Sequence, residues 1–273
     1  MKGKPLMNKL IDITFWQLVS AYLFIILLLF IVRWRKIPRE KEILISSLRM
    51  TIQLVLVGYI LTYVFKHTNP FITVLIFIIM EAFAIYNIFQ RTKIGIHSPF
   101  KKAISISMVF GTFITLAYFD FVVIHFEPWY NPRYFIPIGG MIIGNSMTGI
   151  TLGVSALLEG MKSNRHLVES ALMLGAKPYH AAKGIVNHAF DSAILPTINN
   201  MVGMGIVFLP GMMTGVILSG ANPLSAIKYQ IAIMLGITGS VSLTVILFLY
   251  MGYKSFFNKR SQLVFEQIKG PRD

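Results

Sequence analysis

Residues 158–191 read LEGMKSNRHLVESALMLGAKPYHAAKGIVNHAFD, a polar stretch between two strongly apolar parts of the chain. We call this stretch the elbow. Its centre, from Glu169 to Ala176, has the pattern of a short helix, a glycine turn at Gly175 and the start of a second helix. A membrane protein that keeps such a helical segment in water usually presents it to a soluble partner. That interpretation depends on whether the flanking segments cross a membrane.

The composition is that of an integral membrane protein. Hydrophobic residues make up 55% of the 273 residues, charged residues only 13%, and the mean hydropathy is +0.67. These values are too apolar for a soluble globule of this size. We therefore predict an all-α, polytopic protein with a single transmembrane domain over residues 1–273.

Seven transmembrane helices are predicted from the apolar runs, each close to the roughly 20 residues that a helix needs to cross a bilayer. They are placed at about 13–32, 43–65, 70–89, 103–124, 135–157, 194–219 and 229–252. The prolines and glycines of the sixth span make a continuous straight helix unfavourable there. An uncleaved first helix is favoured over a signal peptide, because the first apolar run is long and no clear cleavage site follows it.

The basic charge indicates the membrane topology of the chain better than it indicates nucleic-acid binding. The net charge is +14, and Lys and Arg concentrate in the first and third loops, the elbow and the tail at 253–273. Loops that stay in the cytoplasm collect such residues, which places these four segments on the cytoplasmic side. The N-terminus, with Lys2, Lys4 and Lys9, is then weakly predicted to lie outside. We expect a multi-pass protein of the cell membrane that contacts lipid and binds no nucleic acid. The chain has no cysteine, which excludes disulfides and thiolate ligands.

Two charged residues fall inside predicted spans. Arg49 lies about two turns inside its span, where it either reaches back to the cytoplasmic interface or pairs in the interior. Glu81 lies near the centre of the third span, and a carboxylate in hydrocarbon must be paired, protonated or turned towards the bundle interior. It is either part of a translocation pathway or a structural partner of Arg49 or another polar side chain.

Glycine and amide residues mark the segments on either side of the elbow. Gly140 and Gly144 form one GxxxG pair and Gly149 and Gly153 another, which allow a second helix to approach closely. Broken or closely packed helices that carry amide and hydroxyl groups are typical of translocation pathways. The predicted pathway residues are Glu81, Asn145, Ser146, Thr197, Asn199 and Asn200.

Methionine gives only a weak indication of metal binding. Thioether sulfur suits soft metals such as Cu(I), whereas methionine is also a common packing residue. Weak metal-ligand candidates are Glu81, Met141, Met204 and Met212. These residues do not identify a metal.

Three strings carry a resemblance to a known family. GMIIGNSM at 140–147, PTIN at 196–199 and LPGMMTG at 209–215 resemble the FetB-type ABC transporter permeases, and the likeness covers nearly the whole chain. That bacterial family is linked to iron export, and its plant relatives are aluminium-tolerance permeases. The resemblance implies a membrane subunit that works with a separately encoded ATPase. Consistently, the chain contains no Gly-x-x-x-x-Gly-Lys-Ser/Thr phosphate loop.

The elbow is the predicted docking site for that ATPase. In ABC importers, a coupling helix follows the pattern Glu-Ala-Ala, three residues, Gly, nine residues, Ile-x-Leu-Pro, and the elbow resembles its first part from Glu169 through Gly175 to Ile185. The match ends there, because Asn187 and His188 stand where Leu-Pro is expected, so the elbow does not indicate uptake. The predicted coupling residues are Leu167, Glu169, Ala171, Leu174, Gly175 and Ala176. The alternative is an amphipathic helix on the bilayer surface.

The sequence thus predicts a non-enzymatic permease subunit, a homodimer flanked by ATPase subunits, that exports iron or another metal ion. This chain would hold no cofactor of its own, because ATP and Mg would bind to the partner. Two alternatives stay open: a secondary cation carrier that needs no ATPase, and a membrane scaffold or sensor.

Overall fold

A computed structural model describes residues 13–92 and 98–264 of the chain. Every regular element in these two ranges is a helix. The ten α-helices are α1 Phe15–Ala21, α2 Leu23–Trp34, α3 Glu40–Lys66, α4 Pro70–Arg91, α5 Ser98–Tyr118, α6 Pro132–Ser163, α7 Arg165–Met173, α8 Pro178–Gly203, α9 Gly211–Leu218 and α10 Pro223–Gly252. A π-helical segment, Phe119–Ile124, extends α5, and a 3-10 turn, Tyr253–Phe256, extends α10. The all-α prediction is confirmed.

Six segments in the described ranges are long and apolar enough to cross a membrane: Phe15–Trp34, Glu40–Lys66, Pro70–Arg91, Ser98–Ile124, Pro132–Ser163 and Pro223–Phe256. They overlap six of the predicted spans, with the largest departures where α6 continues six residues beyond the predicted end at 157 and where the last span begins six residues before 229. The first span divides into α1 and α2 at Tyr22. The lysines at 2, 4, 9 and 93 and the end of the basic tail lie outside the described residues.

The sixth predicted span, 194–219, is not among the long apolar helices of the described ranges. The helix here is α8, which begins at Pro178, continues through Pro196 and ends at Gly203. The chain then forms a turn before the short helix α9. The predicted break is confirmed at this turn, but the predicted start is wrong by sixteen residues. The polar residues up to Asp191 were assigned to a loop, although they belong to the same continuous helix.

The bundle has two distinct ends. At one end, Phe100 of α5 meets Phe248 and Phe256, and Tyr179 of α8 meets Tyr253. The elbow therefore lies at the same end as the C-terminal segment, as the charge pattern predicts. At the other end, the Thr73 hydroxyl lies 3.2 Å from the carbonyl oxygen of Tyr130, and the Arg133 guanidinium lies over the Phe65 ring.

The core forms where α6, α8, α5 and α10 pack together, and α6 and α10 supply most of its buried side chains. Glycines allow close approaches to α10. A Cβ added to Gly111 would come within 3.0 Å of the Thr244 Cα, and one added to Gly149 within 2.8 Å of the Val241 Cγ1. By contrast, the apolar side chains of α1, α2 and α3 are largely exposed, as expected for helices that face lipid.

Candidate translocation face and docking elbow

Most of the elbow belongs to the two long helices α6 and α8. Residues 158–163 complete α6 and residues 178–191 begin α8, which leaves α7 and a tight turn at 164–177. We call residues 164–177 the elbow tip. The two long helices on either side of it are the segments that the sequence predicts to line the pathway.

Gly175 closes α7 with a backbone geometry that favours glycine. Its φ is +87°, its N–H donates to the Leu172 carbonyl at 3.0 Å, and the N–H of Ala176 donates to the Ala171 carbonyl at 3.0 Å. This pair of bonds is a Schellman motif, which caps a helix with a residue in the left-handed region. No atom lies within 4 Å of an added Cβ, so the requirement for glycine comes from φ and not from crowding.

Apolar side chains are exposed at the elbow tip. Leu167 is 70% exposed, Met173 82% and Leu174 89%, whereas Val168 on the inner side of α7 is buried. The Arg165 guanidinium pairs with the Glu169 carboxylate at 2.8 Å on the helix surface. Of the predicted coupling residues, Leu167 and Leu174 are therefore fully available to a partner, and Glu169, Ala171 and Ala176 are half-buried.

The elbow tip is joined to a close helix pair. A Cβ at Gly160 of α6 would lie 2.5 Å from the Ile185 Cγ2 of α8, and one at Gly153 would lie 3.4 Å from the Ala193 Cβ. Glycine thus lets the two backbones approach along several turns, as the GxxxG spacing of Gly149 and Gly153 predicts. In the other GxxxG pair, Gly140 faces Met80 of α4, and Gly144 has open space around it.

Both of these helices expose polar side chains along their length. The exposed set comprises Thr148, Ser155 and Glu159 of α6 and Asn187, His188, Asp191, Asn199 and Asn200 of α8. The hydroxyls of Thr148 and Ser155 donate to carbonyl oxygens one turn earlier, at 3.1 and 2.9 Å. Each hydroxyl therefore donates a hydrogen bond within its own helix, and its oxygen remains able to accept a hydrogen bond from water or to bind a ligand. We call this exposed set the polar face.

The predicted pathway residues divide between the polar face and the core. Asn199 and Asn200 are exposed, and Asn145 is half-buried, with its amide donating to the Met141 carbonyl at 2.7 Å. Ser146 is buried and shares a 2.9 Å hydrogen bond with Ser240 of α10, and Thr197 is also buried. The structure thus groups the asparagines of α8 with the polar face but not Ser146.

Glu81 lies in the core, apart from the polar face. Its side chain is 6% exposed, Oε2 lies 3.1 Å from the Thr112 hydroxyl of α5, and Oε1 has no hydrogen-bond partner. Arg49 does not pair with it in the described ranges; the guanidinium instead lies over the Phe83 ring, 5.0 Å from its centre. A buried acceptor without a partner is costly, and water or an ion commonly supplies one. Asp120, in the π-helical segment, is a second buried carboxylate with one unpartnered oxygen.

The methionines meet polar groups of α10 at the end of the bundle opposite the elbow. Gln230 donates to the Met204 sulfur at 3.8 Å, and Met212 and Met213 line a cavity of about 230 Å³ with Gln230 and Tyr134. Met141, on α6, is half-buried. No group of three or more His, Asp or Glu residues in the described ranges is arranged to hold a metal ion. The metal-ligand assignments of Glu81, Met141, Met204 and Met212 stay predictions.

Sequence reasoning missed part of this arrangement. Asn187 and Asp191 were assigned to a loop, although their spacing with Leu195 continues one face of α8. That spacing was a usable signal. The contact of Glu81 with Thr112 joins residues 31 positions apart on different helices, and no local pattern announces it.

Comparisons with known proteins place the chain among membrane proteins. Residues 15–257 match the family described as "Uncharacterised protein family (UPF0014)". The chain is 33% identical to the "Probable iron export permease protein FetB" of Escherichia coli K12, over 94% of this chain and 98% of that protein. It is 35% identical to the "Protein ALUMINUM SENSITIVE 3" of Arabidopsis thaliana, over 89% of this chain and 88% of that protein. A Bacillus subtilis relative, "UPF0014 membrane protein YjkA", is 31% identical over 90% of this chain and 97% of its own length. No solved structure matches.

Proposed function

The chain belongs to the UPF0014 family of multi-pass membrane proteins, and we propose that it is the permease subunit of an ATP-driven ABC transporter that exports iron or another metal ion. The name of the Escherichia coli relative supports iron as cargo. The proposal assigns ATP hydrolysis, with its ATP and Mg, to a separate subunit.

The observation that carries this proposal is the exposed apolar surface of the elbow tip. Leu167, Met173 and Leu174 extend into solvent from a turn that the Schellman motif holds in one shape. Exposed apolar side chains clustered on a rigid helical turn are typical of a surface that binds another protein. Leu174, at 89% exposed, contributes almost nothing to the fold of this chain, so its apolar character fits a role in docking.

The length of α6 favours a protein partner over the bilayer surface. At 1.5 Å per residue, its 32 residues extend about 48 Å, against about 40–45 Å for a bilayer with its headgroup regions. The beginning of α6 packs with Phe65, Phe77 and Trp129 at the opposite end of the bundle. The excess length is therefore available at the elbow end, where it carries the tip away from the hydrocarbon.

The polar face supports a homodimer. Asn199 and Asn200 of α8 are exposed in one chain, and amide groups that face lipid are costly. A second copy that covers this face would enclose a polar path between two chains. The asparagines of α8 and the hydroxyls of α6 would line this path, with exposed oxygen atoms for a hydrated or partly hydrated cation.

The proposed mechanism is alternating access. Closure of the ATPase dimer would move the elbow tip, and the contact of Gly160 with Ile185 would carry that movement into α6 and α8 together. Because both helices carry the polar face, a tilt of the pair would open the path on one side and close it on the other.

Affinity purification in mild detergent tests the partnership. We expect an ATPase subunit to co-purify with the wild-type chain and to be lost in Leu174→Glu, because a carboxylate cannot be buried in an apolar contact without cost. Lys41→Glu is the control, since Lys41 is exposed in the first turn of α3 at the same end of the bundle. Retention of the ATPase by Leu174→Glu would contradict docking at the elbow tip. Robust transport by the chain alone would select the secondary-carrier alternative, and binding without metal flux would select the scaffold.

A further inference from the structure

A compact hairpin follows α10 and lies beside the elbow tip. We call residues 257–264 the tail hairpin. Phe257 and Leu263 form an antiparallel bridge, and the N–H of Val264 donates to the Phe256 carbonyl at 2.8 Å. Phe256 is buried and meets the Phe100 ring edge-on, at 5.8 Å between ring centres. The base of the hairpin is therefore fixed to the helical bundle.

Asn258 organises the turn of the hairpin. Its Oδ1 accepts from the backbone N–H groups of Arg260 and Gln262, both at 2.9 Å, and its Nδ2 donates to the Gln262 side chain at 2.8 Å. Ser261 takes a left-handed φ of +59°, which completes the turn. This bonding leaves Lys259 and Arg260 exposed at the end of a shaped turn.

A groove separates the hairpin from the elbow tip. It has a volume of about 560 Å³, with Met173, Gly175 and Lys177 on the side of the elbow tip and Arg260, Gln262 and Leu263 on the side of the hairpin. The groove offers apolar surface at its base and two cations on its walls. Because Met173 lines the groove and is also one of the exposed apolar residues of the elbow tip, the groove adjoins that apolar surface.

The charge of this surface defines the partner that fits it. Lys177, Lys259 and Arg260 are exposed around the groove, and Glu169, the acidic residue that lines it, is already paired with Arg165. A complementary surface would carry acidic side chains around an apolar ridge. Anionic lipid headgroups share the acidic character, but the groove is bordered by the elbow tip, and α6, at about 48 Å, exceeds the roughly 40–45 Å of a bilayer with its headgroup regions.

We propose that the tail hairpin is a second contact site for the soluble ATPase subunit and forms one composite docking surface with the elbow tip. Lys259 and Arg260 meet acidic residues of the ATPase, while the groove receives an apolar side chain. This inference rests on the proposed function, because it assumes that an ATPase docks at the elbow tip. It adds a contact that the coupling pattern in the sequence does not contain.

The test measures the affinity of the purified ATPase subunit for the purified permease in uncharged detergent. In the double variant Lys259→Glu and Arg260→Glu, we expect affinity to fall about tenfold at low salt and the difference to shrink at high salt, as for charges at the rim of an interface. Asn258→Ala should also weaken binding, because the turn loses the side-chain bonds that shape it. Lys41→Glu should bind like the wild type. Thermal unfolding confirms that each variant is folded.

The outcomes separate this inference from the proposed function. Unchanged affinity in the double variant, together with lost binding in Leu174→Glu, would overturn the hairpin contact and leave docking at the elbow tip intact. An effect of the double variant that appears only in nanodiscs of anionic lipid, and not in detergent, would assign the hairpin to the membrane surface and also overturn the inference. If the wild-type chain binds no ATPase, both proposals fail.

Discussion

Gly160 of α6 lies directly against Ile185 of α8, so that a Cβ at position 160 would come within 2.5 Å of the Ile185 Cγ2. The contact lies just before the elbow tip, where the two helices are joined. It is the point at which a movement of the elbow tip would first reach the helix pair that carries the polar face.

Replacing Gly160 with alanine should separate the two helices at this point. We expect a loss of about 1–3 kcal/mol in the free energy of unfolding, the usual cost of an extra methyl group in a packed contact. The measurement is thermal or denaturant unfolding of the purified protein. Gly184→Ala is the control, because Gly184 has no atom within 4 Å of an added Cβ and alanine favours a helix.

A second substitution checks the cause. Ile185→Ala removes the methyl group that the new Cβ meets, so the pair Gly160→Ala and Ile185→Ala should be more stable than the sum of the single changes predicts. Strict additivity of the two changes would show that the contact is not what destabilises Gly160→Ala.

Gly175→Val should uncouple ATP hydrolysis from transport while the protein still inserts into the membrane. Its φ of +87° disfavours a β-branched residue by about 1–3 kcal/mol, enough to displace the Schellman turn. Gly175→Asn should retain most of the coupling, because asparagine tolerates the left-handed region. The readout is metal transported per ATP hydrolysed in vesicles that contain both subunits. Normal transport by Gly175→Val would contradict a coupling role for this turn.

Asn199 and Ser146 are both predicted pathway residues, but their places in the structure predict different effects of substitution. Asn199→Leu removes an exposed amide of α8, and we expect transport to fall several-fold with ATPase binding unchanged. Ser146→Ala removes the bond with Ser240 in the core, so it should cost about 1 kcal/mol of stability and leave the transport rate near that of the wild type. The reverse pattern would place the path along Ser146 and not along the polar face.

Hydropathy and charge were enough to predict most of the bundle, but the start of α8 shows where they fail. Residues 178–191 are polar, so a window that measures apolarity does not begin the span until residue 194. The helix nevertheless begins at Pro178, because Ala182 and Ala189 face inward at helical spacing and supply enough buried surface to continue it. The break after Gly203 was predictable because glycine and proline act locally.

The elbow and the site show the same distinction between local and long-range information. The turn at Gly175 follows from a glycine at the end of a helical pattern, and the structure has that turn. The contact of Glu81 with Thr112 and that of Gly160 with Ile185 depend on how separate helices pack. A single sequence carries no local signal for such contacts.

The most direct test of the central claim is metal flux in vesicles that contain the purified permease with or without the ATPase subunit. We predict transport of Fe²⁺ or another metal ion only when both subunits and MgATP are present, with flux abolished in Leu174→Glu. Metal flux by the permease alone at a comparable rate, without ATP, would contradict the claim that this chain is the membrane half of an ATP-driven exporter.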